Sequence, residues 1–219
     1  MTTWSYSSLS SFEQCPRRYA VIRVHKLVAD PPNAASKHGD EVHKALELYV
    51  KDGTALPAKY AQYEPIVSKI AKSPGDVYAE QRFALTRDIK PTTFFAPDCW
   101  VRGVLDVTVV RGARATVLDY KTGKPKNDPD QLKLFAAAVF GQYPEVDTVK
   151  TGYLWLAYDI ADTETYTRPQ AVDIWRSFEV RVERLEHAMK YDEFPPKPSG
   201  LCKNYCPVPK NICEFSGRS

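Results

Sequence analysis

From Trp100 to Lys121 the chain carries two valine-rich runs, Trp100 to Val110 and Arg114 to Tyr120, separated by Arg111-Gly112-Ala113. Apolar runs of this length around a glycine-containing turn predict a β-hairpin. Each run holds an acid. Asp106 lies in Gly103-Val104-Leu105-Asp106, and Asp119, thirteen residues later, lies in Leu118-Asp119-Tyr120-Lys121-Thr122-Gly123-Lys124. Side chains alternate along a strand, so Asp119 and Lys121 point the same way. An acid at Asp106, among Val101, Val104, Leu105, Val107 and Val109, needs a partner or a metal. Two converging carboxylates and a lysine suit metal-assisted hydrolysis of a phosphodiester. The acids hold Mg²⁺ or Mn²⁺, and the lysine steadies a nucleophilic water or the developing negative charge. The plainer alternative for Asp119 and Lys121 is a surface ion pair at a strand end, which contributes little stability.

The rest of the chain frames this hairpin. Ser7 to Val24 reads as one helix, with Ser10 and Glu13 spaced as a capping box and Leu9, Phe12, Tyr19 and Ile22 on its apolar positions. Ala29 to Asn33 is a proline-containing connector. Ser36 to Lys51 is a second helix, with Val42, Leu46, Tyr49 and Val50 in one stripe and His43 at its edge. Pro57 to Lys72 reads as a third helix, and strand alternation begins at Val77, with Glu80 either behind the acids or facing solvent. Pro129 to Gly141 is a helix, Lys150 to Tyr158 a strand, and Val172 to Met189 a strand followed by a helix. Helices, then a β-meander, then α and β together indicate a mixed sheet flanked by helices.

At 219 residues the chain is expected to form one domain, 1–219, with a sizeable core. A net charge of +3 permits nucleic-acid binding without arguing for it. Arg17, Arg18, Lys124, Lys126 and Lys133 are candidate phosphate contacts or simply a solvated face. Trp4, Tyr6 and Tyr19 fit base stacking less well than core packing. The start of the sequence has neither a basic nor an apolar leader segment, and no apolar run approaches the roughly 20 residues of a membrane span. A cytoplasmic location with no membrane partner is therefore expected.

In that setting the five cysteines are better metal ligands than disulfide partners. Cys202, Cys206 and Cys213 form C-x3-C-x6-C near the end of the sequence, and Cys15 would complete a four-thiol site for iron–sulfur or zinc. Such a site would staple 1–24 to 195–219. Cys99, at a strand edge, reads as a buried thiol.

Six segments in order resemble the RecB-like branch of the PD-(D/E)xK nuclease superfamily, and especially its iron–sulfur members, which include the nuclease domain of AddB and CRISPR-associated exonucleases. They are Ser8-Leu9-Ser10-Ser11-Phe12-Glu13-Gln14-Cys15-Pro16-Arg17-Arg18-Tyr19; Gly39-x3-His43-x2-Leu46-Glu47; Gly103-x2-Asp106; Asp119-Tyr120-Lys121-Thr122-Gly123; Gln131-x3-Phe135; and the terminal cysteines. The resemblance implies an α/β restriction-endonuclease-like core and a divalent-metal-dependent DNA exonuclease without sequence specificity. Single-stranded or duplex ends would be its substrate, and a helicase, recombinase or adaptation complex its partner. A catalytically silent DNA-binding or adaptor subunit of the same fold is the alternative.

Residue by residue, the resemblance makes His43, Asp106 and Asp119 metal ligands, joined by the Tyr120 carbonyl. Lys121 becomes the catalytic lysine, and Gln131 positions substrate or lysine. Cys15, Cys202, Cys206 and Cys213 would hold a structural [4Fe–4S] cluster. The terminal cysteine gaps are each one residue longer than the usual C-x2-C-x5-C, which keeps Zn²⁺ open as the alternative. Phe135 stands where the family usually has tyrosine.

Overall fold

The computed structural model describes residues 2–30, 34–126 and 128–217. Three residues of the expected connector, Pro31, Pro32 and Asn33, lie outside these. The chain divides into two compact units, Met1–Pro32 with Ser177–Ser219, and Asn33–Arg176.

The second unit is built on a five-stranded sheet in the order β1-β2-β3-β4-β5. Strands β1 (Asp76–Leu85), β2 (Val101–Arg111) and β3 (Arg114–Lys121) form an antiparallel meander. The β2–β3 turn is as tight as the sequence predicts: Arg111 pairs with Arg114, and Gly112 takes φ +55°, which glycine adopts without strain. Helix α5 (Pro129–Gln142) follows β3, and β4 (Thr148–Trp155) returns parallel to it, a crossover that parallel pairing requires. Strand β5 (Ile160–Thr167) closes the sheet antiparallel to β4. Helix α3 (Ala34–Asp52) lays Val42, Ala45 and Leu46 into a core that includes Val107, Tyr120 and Leu154.

Three expectations for this unit are corrected. The third helix is two pieces, a 3₁₀ turn (Ala58–Tyr63) and α4 (Glu64–Ala71), because Pro65 has no N–H to continue a helix and is tolerated only in a first turn. β5 lies where no strand was expected. Its sequence is polar and every residue but Tyr166 is exposed, so it lacks the apolar alternation that marks a buried strand. The expected strand at Val172 is instead part of helix α6 (Gln170–Tyr191), whose buried Ile174, Trp175, Phe178, Val182 and Leu185 keep helical spacing.

In the first unit the expected long helix breaks at Cys15. α1 (Tyr6–Gln14) ends there, Cys15 is extended (φ −162°, ψ 106°), and α2 (Pro16–Tyr19) begins at once, followed by a π-helical stretch (Ala20–Val24). Proline pushes the residue before it out of the helical region, which turns Cys15 out of the helix. The capping box is Ser5 with Ser8 rather than Ser10 with Glu13: the Ser5 hydroxyl accepts from the Ser8 N–H at 3.3 Å, and the Ser5 N–H donates back to Ser8 Oγ at 2.9 Å. Glu13 instead forms a bidentate pair with Arg181, both contacts at 2.7 Å. A short α7 (Cys202–Tyr205) follows an irregular proline-rich segment. Among the described residues no helix is long and apolar enough to cross a membrane.

Candidate active site

The sheet opens where its acids lie. β1 and β2 stay in register on both sides, Ala79 opposite Val107 and Gln81 opposite Leu105, but Glu80 and Asp106 between them drop out of the pairing. Glu80 takes φ +49°, a left-handed conformation that costs a non-glycine residue free energy and clusters at functional sites. The β2–β3 ladder likewise reaches only Val107 opposite Leu118. The Tyr120 N–H donates to Asp106 Oδ2 at 2.7 Å instead of to a strand neighbour. Gly103 of the Gly-x-x-Asp segment serves packing: a Cβ there would meet the Phe83 ring at 2.5 Å.

Two connected groups of side chains result. In the first, one ligand atom each from His43, Glu80 and Asp106 lie within 4.8 Å of one another. His43 Nδ1 is 3.3 Å from Asp106 Oδ2, and its Nε2 is 2.9 Å from the Tyr120 carbonyl. In the second group, Lys121 Nζ lies 2.6 Å from Asp119 Oδ2. Gln131, from α5, bridges the pair: its Nε2 donates to Asp119 Oδ1 at 3.2 Å and its Oε1 accepts from Lys121 at 3.3 Å. The Tyr153 hydroxyl reaches Gln131 Oε1 at 3.2 Å. His43, Glu80, Asp106, Tyr120 and Lys121 line one cleft.

The electrostatics follow from burial and crowding of acids. Burial, the Asp106 charge next, pushes the Asp119 carboxyl up to about 6, against the pull of Lys121. Glu80 is raised by burial and by Asp106. Burial alone would lower the His43 pKa, but its bond to Asp106, that residue's charge and the Asp119 charge lift it above the ordinary histidine value. Acids that resist ionising together, with an imidazole beside them, are a surplus of negative charge waiting for a cation.

The donor set fits a hard divalent ion: carboxylate oxygens, an imidazole nitrogen and a main-chain carbonyl. Ligands on an octahedral Mg²⁺ at about 2.1 Å stand at most about 4.2 Å apart, close to the spacing found here. The expected ligands His43 and Asp106 are together with the Tyr120 carbonyl, whereas the Asp119 carboxylate is engaged with Lys121 and Gln131. Glu80, left outside the expected ligand set, belongs to the first group. Its only sequence signal is an acid on the strand that precedes Asp106, which becomes specific once the register sets the two opposite each other.

Elsewhere, Cys15, Cys202, Cys206 and Cys213 line one pocket of the first unit. Cys202 Sγ accepts from the Ser199 N–H at 3.2 Å. Among the described residues no three thiols stand within 4.8 Å of one another. Cys99 is buried in the second unit, its thiol 3.6 Å from the Val101 carbonyl. Of the basic and aromatic candidates, Arg18 pairs with Asp30 at 2.8 Å, Lys133 lies 3.3 Å from Asp130, and Trp4 and Tyr19 are buried.

The chain is 34% identical over 123 residues to the Gene 69 protein of Mycobacterium phage L5, a match that covers 49% of this chain and 40% of that protein. The Gene 69 protein of Mycobacterium phage D29 is 31% identical over 110 residues with the same coverage. The match thus spans less than half the length of either relative. The crystal structure of a "Putative exonuclease" from Eubacterium rectale superposes with a TM-score of 0.55 at 14% identity, over 92% of this chain and 86% of that one. At that identity the likeness is one of fold. The model of the PD-(D/E)XK nuclease superfamily matches residues 3–214, and the chain belongs to that superfamily.

Proposed function

We propose that the chain is a divalent-metal-dependent deoxyribonuclease, acting as an exonuclease without sequence specificity on single-stranded or duplex ends. One observation carries the reading: His43, Glu80 and Asp106 converge within 4.8 Å in the cleft that Lys121 also lines. Mg²⁺ or Mn²⁺ bound there supplies a Lewis acid for the scissile phosphate and lowers the pKa of a bound water. His43, Glu80 and Asp106 would hold the ion with the Tyr120 carbonyl, and Asp119, now paired with Lys121, would be the further carboxylate beside it. Lys121 presents its ammonium to the nucleophile or to the charge that develops on phosphorus-bound oxygen. Gln131 fixes Lys121 and Asp119 relative to each other, and the Tyr153 hydroxyl fixes Gln131.

The four cysteines of the first unit are proposed to hold a structural [4Fe–4S] cluster, with Zn²⁺ as the alternative. Tetrahedral zinc at about 2.3 Å from each sulfur draws its thiolates to about 3.8 Å of one another. Iron and zinc content per chain separates the two.

The test is cleavage of end-labelled linear and circular DNA with Mn²⁺ or Mg²⁺, with Asp106→Ala and Lys121→Ala alongside. Loss of label from linear DNA, absent in both variants, is the expected result. Cutting of circles would add endonuclease activity. Full activity in either variant would overturn the assignment of the site.

A further inference from the structure

The face of the sheet that carries the acids continues past them. Alternation along β2 puts Arg102, Val104 and Asp106 on one face, and Arg82 pairs opposite Val104 on β1. Phe94 and Phe95, from the loop between these strands, cover the two arginines. The Arg82 guanidinium lies 5.2 Å from the Phe94 ring centroid, and that of Arg102 lies 4.9 Å from Phe94 and 5.2 Å from Phe95. Arg102 Nη1 also donates to the Phe94 carbonyl at 2.8 Å, so loop and strand are tied together. Phe95 remains 77% exposed, an unusual position for a phenylalanine, and Val104 is 36% exposed. Among the described residues no carboxylate forms an ion pair with Arg82 or Arg102.

We propose that Arg82, Arg102, Phe94 and Phe95 form a track for a single strand of DNA leading to the His43–Glu80–Asp106 site. The proposal rests on the nuclease reading above and adds a direction to it. Two guanidiniums that the protein leaves without anionic partners are complementary to phosphates, and the aromatic rings hold them side-on in place. Exposed aromatic faces stack on bases only when the bases are unpaired, which selects a single strand over a duplex. Arg102 stands four residues from Asp106 along β2, about 13 Å. That is about four nucleotides at the ~3.4 Å rise of a stacked strand.

The experiment is fluorescence anisotropy of a short labelled oligothymidylate in EDTA, which reads binding without cleavage. The Arg82→Ala/Arg102→Ala double variant should bind about tenfold more weakly or worse, and its log–log salt slope should fall by about 0.7 for each phosphate that no longer meets a guanidinium. Phe95→Ala should weaken binding at least about fivefold. Arg111→Ala removes the same charge from the far end of β2 and should change nothing. With Mn²⁺ the double variant should raise KM and leave kcat unaltered. Wild-type affinity in the double variant, or an equal loss in Arg111→Ala, would overturn the track. So would losses confined to a duplex probe. Failure of the nuclease reading appears separately, as cleavage retained by Asp106→Ala.

Discussion

The carboxylate cleft and the cysteine pocket are both gathered from segments distant in sequence, yet they are held together differently. In the cleft the side chains already have protein partners: His43 has Asp106 and the Tyr120 carbonyl, and Asp119 has Lys121 and Gln131. In the pocket Val21, Val208 and Ile212 pack around Cys206 and Cys213, but among the described residues no hydrogen bond joins one thiol to another. On the reading proposed here, the cleft is organised before its ion arrives, and the pocket takes its order from what it binds. Losing metal from the first should cost activity. Losing it from the second should cost the fold.

The largest effects test that contrast directly. Asp106→Ala should reduce cleavage about a thousandfold, as loss of the ion that stabilises transition-state charge would, while shifting the thermal midpoint by only a few degrees. A collapse in melting temperature would show that the cleft, too, depends on its ion for folding. Cys213→Ser should do the reverse. It should lower stability by about 4 kcal/mol, or about 8–16 °C for a chain of this size, and release the bound metal. Cys99→Ser is its control, since Cys99 is also buried but belongs to the second unit, its thiol 3.6 Å from the Val101 carbonyl. If calorimetry shows the two serine variants melting together, Cys213 is an ordinary core thiol and the contrast fails.

How much of this was legible in the sequence divides along physical lines. The hairpin and its acids were readable because apolar runs, a glycine turn and strand alternation are local signals. Lys121 beside Asp119 follows from the two-residue period alone. Glu80 was not readable as a partner of Asp106, because the feature that gathers it, a paired break in two strands, arises from register and not from composition. β5 was missed because an exposed edge strand carries no apolar alternation. The break at Cys15 was carried by Pro16 all along, but the apolar positions on either side read as one helix. Tyr153 reaches Gln131 from a strand paired in parallel with β3 through a crossover, a contact no local pattern encodes.

Glu80 offers a smaller effect that sharpens the comparison. Its carboxyl is raised by burial and by Asp106, so in the metal-free protein the two acids oppose each other. Glu80→Gln should raise the melting temperature in EDTA by a few degrees while weakening Mn²⁺ binding by about 10- to 100-fold, measured by calorimetric titration. A cleft assembled for an ion carries this trade. A neutral or destabilising Gln in EDTA would mean that Glu80 is held by packing and not poised against Asp106.

The smallest effect asks whether order in the cysteine pocket comes from the metal or from the helix beside it. Ser5 caps α1 with Ser8, at the end of that helix opposite Cys15. Ser5→Ala should cost about 1 kcal/mol, the usual loss for an N-cap hydroxyl. Ser10→Ala, inside the same helix, should be neutral or slightly stabilising, because alanine is the better helix former. Metal content should be the same in both variants: a fraying first turn leaves Cys15 where Pro16 turns it out, and on the proposed reading the bound group would hold the thiol from there. If Ser5→Ala also sheds metal, the register of α1 sets the position of Cys15. The pocket would then be organised by its own protein as the carboxylate cleft is, and the difference between the two sites would reduce to one of ligand chemistry.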